Sequence, residues 1–149
     1  MIFLDYKISE EKINKIVNIS SNVLDKVVEF LYKNFKNYNW VGIYFVRGDI
    51  LVLGPWRGKQ ATEHLKIPIG KGICGAAAKS GKTEIVSDVN ADDRYLSCFV
   101  STKSEIIVPI KKDEKVIGEI DIDSDKKDAF TKKDKEFLEK VADMLSKHI

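Results

Sequence analysis

The chain has 149 residues, 44% of them hydrophobic, and its 25 basic and 23 acidic side chains leave a net charge of only +2. Lysines sit beside acids in most segments, which argues against a nucleic-acid footprint. No apolar run approaches the ~20 residues a membrane span requires. The first residues, Met1-Ile-Phe-Leu-Asp-Tyr-Lys7, lack a basic region followed by a secretory apolar core, so a cytoplasmic location is expected. There the two cysteines, Cys74 and Cys98, are reduced, catalytic or inert rather than a structural bridge. The length fits one domain over residues 1–149.

The first segment, about residues 9–36, is helical. Ser9 is placed to cap it, with Glu10 and Glu11 in the first turn. Ile13, Ile16, Val17, Val23, Leu24, Val27, Val28, Leu31 and Phe35 then recur at helical spacing. Ser20-Ser-Asn22 can divide this segment into two helices, because these side chains compete for backbone hydrogen bonds.

Trp40 to Val46 is β-branched and aromatic and reads as a strand. Arg47-Gly-Asp49 turns the chain, and Ile50 to Leu53 returns. Gly54-Pro-Trp-Arg-Gly58 reads as a loop with an aromatic at its tip, and Leu65 to Ile69 as a third strand. Ile73 to Ser80 is a short helix closed by Gly81, and Thr83 to Val86 a brief strand. Ser87 to Phe99 is a long polar loop, of a length that usually carries function. Glu105–Lys111 and Lys115–Asp123 make a second hairpin about Asp113-Glu114. Thr131-Lys-Lys-Asp134 approximates a capping box for a final helix over about 131–147. Hairpins dominate, so the fold class is α+β: a mainly antiparallel sheet with the N- and C-terminal helices packed on it. An outer face of those helices would also serve a homodimer.

Four groups of residues carry chemistry. Gly70, Gly72 and Gly75 spell G-x-G-x-x-G, but among hairpins rather than in a βαβ unit. The glycines are therefore read as a tight turn into a helix whose backbone N–H groups suit a small anion. Cys74 lies near that helix N-terminus, where the dipole favours thiolate; the alternative is a small apolar side chain packed with Ala76, Ala77 and Ala78. Cys98 lies in the long loop, where a thiol is more accessible. Glu119, Asp121 and Asp123 alternate along one strand and share a face, either a solvated one or an acidic pocket for a cation such as an α-ammonium group. Glu105 joins them only if the hairpin loop is odd-numbered or a bulge intervenes. Trp40, Tyr44 and Trp56 are candidate walls of a hydrophobic box, or core aromatics. There is no C-x-x-C or H-x-x-x-H, and the only histidines are His64 and His148, so no metal is expected.

Five blocks in order, Asn39–Tyr44, Leu51–Lys59, Ile67–Gly75, Ser104–Pro109 and Ile117–Ser124, resemble the free methionine-(R)-sulfoxide reductases, which are GAF domains. The resemblance covers nearly the whole chain. It implies Cys98 as the nucleophile, Cys74 as its partner, Glu105, Asp121 and Asp123 as the acidic pocket, and Trp40, Tyr44 and Trp56 as walls. The implied activity is thiol-dependent reduction of free methionine sulfoxide through a cysteine sulfenic acid, with no bound cofactor and a thioredoxin-like reductant as partner. Family members commonly carry a third cysteine before the Ile-Pro pair, where this chain has Ala61-Thr-Glu-His-Leu65, so the resemblance leaves the resolving step open between Cys74 and an external thiol. The alternative is a GAF-type sensor of a small ligand or of redox state, without turnover.

Overall fold

The computed structural model describes residues 5–96, 99 and 101–149. It contains α1 (Tyr6–Ile19), α2 (Val23–Asn34), β1 (Trp40–Arg47), β2 (Ile50–Gly58), β3 (Lys66–Pro68), α3 (Gly72–Ser80), β4 (Glu84–Val86), β5 (Ser104–Lys112), β6 (Lys115–Ser124) and α4 (Lys132–Leu145). One six-stranded sheet runs in the order β3-β2-β1-β6-β5-β4, and every neighbouring pair is antiparallel.

The helical stretch does divide at Ser20-Ser-Asn22. It begins earlier than the sequence suggests. Asp5, not Ser9, is the N-cap, its carboxylate accepting from the Ile8 N–H at 2.8 Å. Ser9 is a buried residue within α1. The extra turn carries Tyr6 onto Phe35 and Phe137, with ring centroids 5.9 and 5.4 Å away. The capping box at α4 forms as read, with Thr131 and Asp134 exchanging hydrogen bonds. Asp134 is also buried and accepts from the hydroxyls of Tyr38 at 2.6 Å and Tyr6 at 3.0 Å.

α1, α2 and α4 cover one face of the sheet. Ile13, Val27, Val28, Leu31, Leu138, Val141 and Leu145 pack against Val41 and Ile43 of β1 and the isoleucines of β5 and β6. α3 lies on the opposite face, over a smaller core that includes Tyr44, Leu51, Ile67, Ile73, Cys74 and Ile107. The central strands are therefore buried on both sides. That is why the alternation along β6 is apolar toward the three helices and acidic, yet still buried, toward α3.

The second hairpin turns at Asp113-Glu114, both at positive φ (52° and 65°), the geometry of a tight two-residue turn. Val116 faces Lys111 and Gly118 faces Ile110, so Ile117 is the extra residue of a β-bulge. A second irregularity interrupts the β1–β2 pairing between Gly42 and Tyr44. Here the sequence reading is corrected: Gly54-Pro-Trp-Arg-Gly58 is not a loop but the continuation of β2, paired with β1 as far as Trp40 opposite Gly58. The bulge is what lets a strand carry a proline at this point.

Candidate active site

Strand register builds one wall. Asp123 faces Glu105 on β5 and Trp40 on β1, Asp121 faces Gly42, and Glu119 faces Tyr44. Directly opposed residues share a sheet face, so Glu105, Glu119, Asp121, Asp123, Trp40 and Tyr44 all point toward α3. The bulge at Ile117 supplies the parity that a two-residue turn lacks, and Glu105 joins the acids through it. The β2 bulge does the same for an aromatic: Leu53 opposes Tyr44 and Trp56 opposes Gly42, so residues three apart in sequence face the same way.

Trp40 lies in a slot made by two glycines. A Cβ on Gly42 would meet its ring at 2.4 Å, and one on Gly58 at 2.3 Å. The indole is stacked on Trp56 with centroids 6.1 Å apart and an interplanar angle of 13°, and Phe99 tilts against it at 5.9 Å. Trp40 and Phe99 line a cavity of about 50 Å³ together with Asn39, Gln60, Thr102 and Asp123. Tyr44 is separate from this aromatic group. It is buried, and its hydroxyl donates to the His64 carbonyl at 2.8 Å. It lines an inner cleft with Cys74, Tyr95, Leu96, Glu105 and Asp121. Trp40 and Trp56 therefore form the aromatic wall, and Tyr44 belongs to the thiol end.

Cys74 sits on the first turn of α3. The Gly70–Gly75 turn holds that helix tightly against β3: Gly70 N–H donates to the Gly75 carbonyl at 2.8 Å, and a Cβ on Gly75 would lie 2.6 Å from the Pro68 carbonyl oxygen. The N–H groups of Gly70, Lys71 and Gly75 are used inside this turn, so the anion cradle suggested by the glycines is smaller than expected.

The Cys74 side chain is buried, and its thiol donates to Asp121 Oδ2 at 3.3 Å. Burial first, then the neighbouring Asp121, Glu119 and Glu105, push the thiol well above its usual range. The helix-dipole expectation of a thiolate at Cys74 is thus outweighed: desolvation and three acidic neighbours hold it as a thiol.

The four acids are all buried. Desolvation is the first cause that raises each of them, and repulsion from the next carboxyl adds to it for Glu105, Glu119 and Asp123. Asp121 is raised by burial but partly held down by Glu105, Cys74 and His64. Both oxygens of Glu119 and one each of Asp121 and Asp123 are buried with no donor among the described residues. Buried acceptors without donors cost free energy unless a proton or a ligand supplies the missing bond.

The loop leading toward Cys98 is anchored by Arg94. Its guanidinium meets Glu84 at 3.0 and 3.2 Å and Asp92 at 2.8 and 3.0 Å. Cys98 itself lies outside the described residues. Phe99 was not singled out by its pattern; an aromatic beside a loop cysteine was the available signal. Glu119 was read only as a member of the acidic face, and its contact with Cys74 follows from α3 lying across β6.

A family model described as the GAF domain matches residues 21–149. A Saccharomyces cerevisiae protein named free methionine-R-sulfoxide reductase is 39% identical over an alignment spanning 98% of this chain and 82% of that protein. An Escherichia coli protein of the same name is 36% identical, with 78% and 70% covered. Among solved structures, the free methionine-R-sulfoxide reductase of Neisseria meningitidis in complex with its substrate superposes with a TM-score of 0.90 at 32% identity, covering 99% of this chain and 93% of that one. The type II enzyme of Thermoplasma acidophilum gives 0.82 at 36%, covering 89% and 93%.

Proposed function

We propose that this chain, which belongs to the free methionine-R-sulfoxide reductases among the GAF domains, reduces free methionine-(R)-sulfoxide to methionine at the acidic face beneath α3. The observation that carries the reading is the set of buried carboxyl oxygens of Glu119, Asp121 and Asp123 without donors among the described residues, gathered around one thiol and ending at an aromatic slot. A free amino acid carries what such a site lacks. Its ammonium group brings donors for carboxyl oxygens, its sulfoxide oxygen needs a proton, and its methyl and thioether carbons suit an indole face.

In this reading Asp121 receives the ammonium. Glu105 or Asp123, each raised by burial and then by the charge of Asp121, donates to the sulfoxide oxygen. The Cys98 thiolate attacks sulfur as that oxygen is protonated. The substrate S–O bond and the new sulfur–sulfur bond then both break as the oxygen passes to the Cys98 sulfur, so that methionine leaves and Cys98 is left as a sulfenic acid. Cys74 gives up its thiol proton and displaces that oxygen as water, forming a Cys74–Cys98 disulfide. A thioredoxin-like dithiol reopens it. Overall one sulfoxide and two thiols become one thioether, one disulfide and one water. A protonated Cys74 suits the second step, since it does not compete with Cys98 for the substrate.

The test follows loss of free methionine-(R)-sulfoxide with dithiothreitol and then with thioredoxin, in the wild type, Cys98→Ser and Cys74→Ser. Cys98→Ser should abolish turnover with either reductant. Cys74→Ser should retain it with dithiothreitol and lose it with thioredoxin. Wild-type protein that turns over no sulfoxide with any thiol would exclude the reductase and leave a ligand or redox sensor.

A further inference from the structure

We propose that Cys74, Glu105 and Asp121 form a binding site for one thiophilic divalent cation of the zinc class. The three residues come from α3, β5 and β6, too far apart in sequence for any spacing motif to announce them. The fold nevertheless brings one ligand atom from each to within 4.8 Å of the others, and Cys74 Sγ to 3.3 Å from Asp121 Oδ2. One sulfur and two carboxylate oxygens form a donor set that zinc accepts and that magnesium or calcium, which require oxygen shells, do not. Three protein ligands leave a fourth position open, as in sites where zinc also holds water.

The second observation concerns hydrogen bonding and includes Glu119, which is not one of the three ligands. Asp121 is 2% exposed, and its Oδ1 is an acceptor with no donor among the described residues; Glu119, fully buried alongside, has two more. A bound cation would satisfy such buried carboxyl oxygens beside a thiol. Binding is a proton-for-metal exchange with no change of oxidation state. The Cys74 S–H bond breaks, its proton leaves for solvent and a sulfur–metal bond forms; a carboxyl that carries a proton gives it up in the same way. Three anionic ligands more than balance the dication, and proton release makes the affinity rise with pH. The ion would occupy the space assigned above to the substrate, but its binding does not depend on turnover.

Reduced protein, kept so with a phosphine rather than a thiol, is titrated with Co²⁺ as a spectroscopic stand-in for zinc. One equivalent should bind with a sulfur-to-cobalt charge-transfer band in the near ultraviolet. Glu105→Gln and Asp121→Asn, close in shape to the originals, should retain the band and lose tenfold or more in affinity. Cys74→Ser should lose the band, whereas Cys98→Ser should keep it. A wild type without the band, a band that survives in Cys74→Ser or vanishes in Cys98→Ser, or a Glu105→Gln variant that binds as tightly as wild type would overturn the site. The Glu105→Gln and Cys98→Ser arms decide the matter even if Cys74→Ser folds poorly. No arm uses sulfoxide, so failure here leaves the reductase reading standing, and the reverse.

Discussion

Cys74 donates its thiol proton to Asp121 across 3.3 Å, in a pocket where both side chains are buried. The carboxyl of Asp121 is, after desolvation, the largest influence holding the thiol up. In a Cys98→Ser background, Asp121→Asn should therefore move the pH midpoint of Cys74 alkylation downward. The measurement is iodoacetamide labelling rate against pH. An unchanged midpoint would remove Asp121 from the account and leave burial with Glu119 and Glu105.

The acids make stability depend on pH with a definite sign. Glu119 is raised above its ordinary 4.5 by burial and by Asp121. The folded state therefore holds a proton that the unfolded chain releases. That stabilisation is complete below the unfolded value and is lost as pH rises through the folded one, at about 1.4 kcal/mol per pH unit for each such group. Thermal melts should show Tm falling from pH 5 toward pH 8. Glu119→Gln, neutral throughout, should flatten part of that slope; an identical slope would remove Glu119 from the account.

Asp134 should matter for stability and not for chemistry. It accepts from two tyrosine hydroxyls and from both the backbone and side chain of Thr131. Asp134→Ala leaves the buried Tyr38 hydroxyl without its acceptor and removes the Asp134 half of the capping box, at a cost of about 3 kcal/mol. Urea unfolding measures it, and turnover per folded molecule should be unchanged.

Gly75→Ala should be worse than a helix-favouring substitution ordinarily is. The added methyl would press on the Pro68 carbonyl oxygen at 2.6 Å and on Gly70 N at 2.9 Å, both backbone atoms. A loss of about 1–3 kcal/mol is expected from such overpacking, together with displacement of Cys74. Denaturation reads the first effect, and the alkylation rate of Cys74 the second.

What the sequence made legible was local or periodic. The apolar stripe of α2 and α4, the break at Ser20-Ser-Asn22, the capping box at Thr131 and the shared face of Glu119, Asp121 and Asp123 all follow from spacings of a few residues. Periodicity could not decide whether that acidic face met solvent or protein, because this depends on α3 crossing the sheet from elsewhere in the chain. Nor could it see that Gly54–Gly58 continues β2, since glycine and proline normally punctuate loops and are tolerated here only by a bulge. The choice between a thiolate and a buried apolar side chain at Cys74 stays open in the sequence for a related reason. The helix terminus is visible in sequence, but the three carboxyls that oppose it arrive through tertiary packing.

The extra residue at Ile117 amounts to a phase setting. Between Glu105 and Glu119 the hairpin carries its chemistry as odd or even. Deleting one residue there would set Glu105 and the three acids of β6 on opposite faces of the sheet, so that one side of the pocket would turn toward α1, α2 and α4. Deleting or inserting two would restore the original sense. Length variation in this hairpin should therefore be tolerated in pairs and forbidden singly, a constraint written in residue count rather than in residue identity.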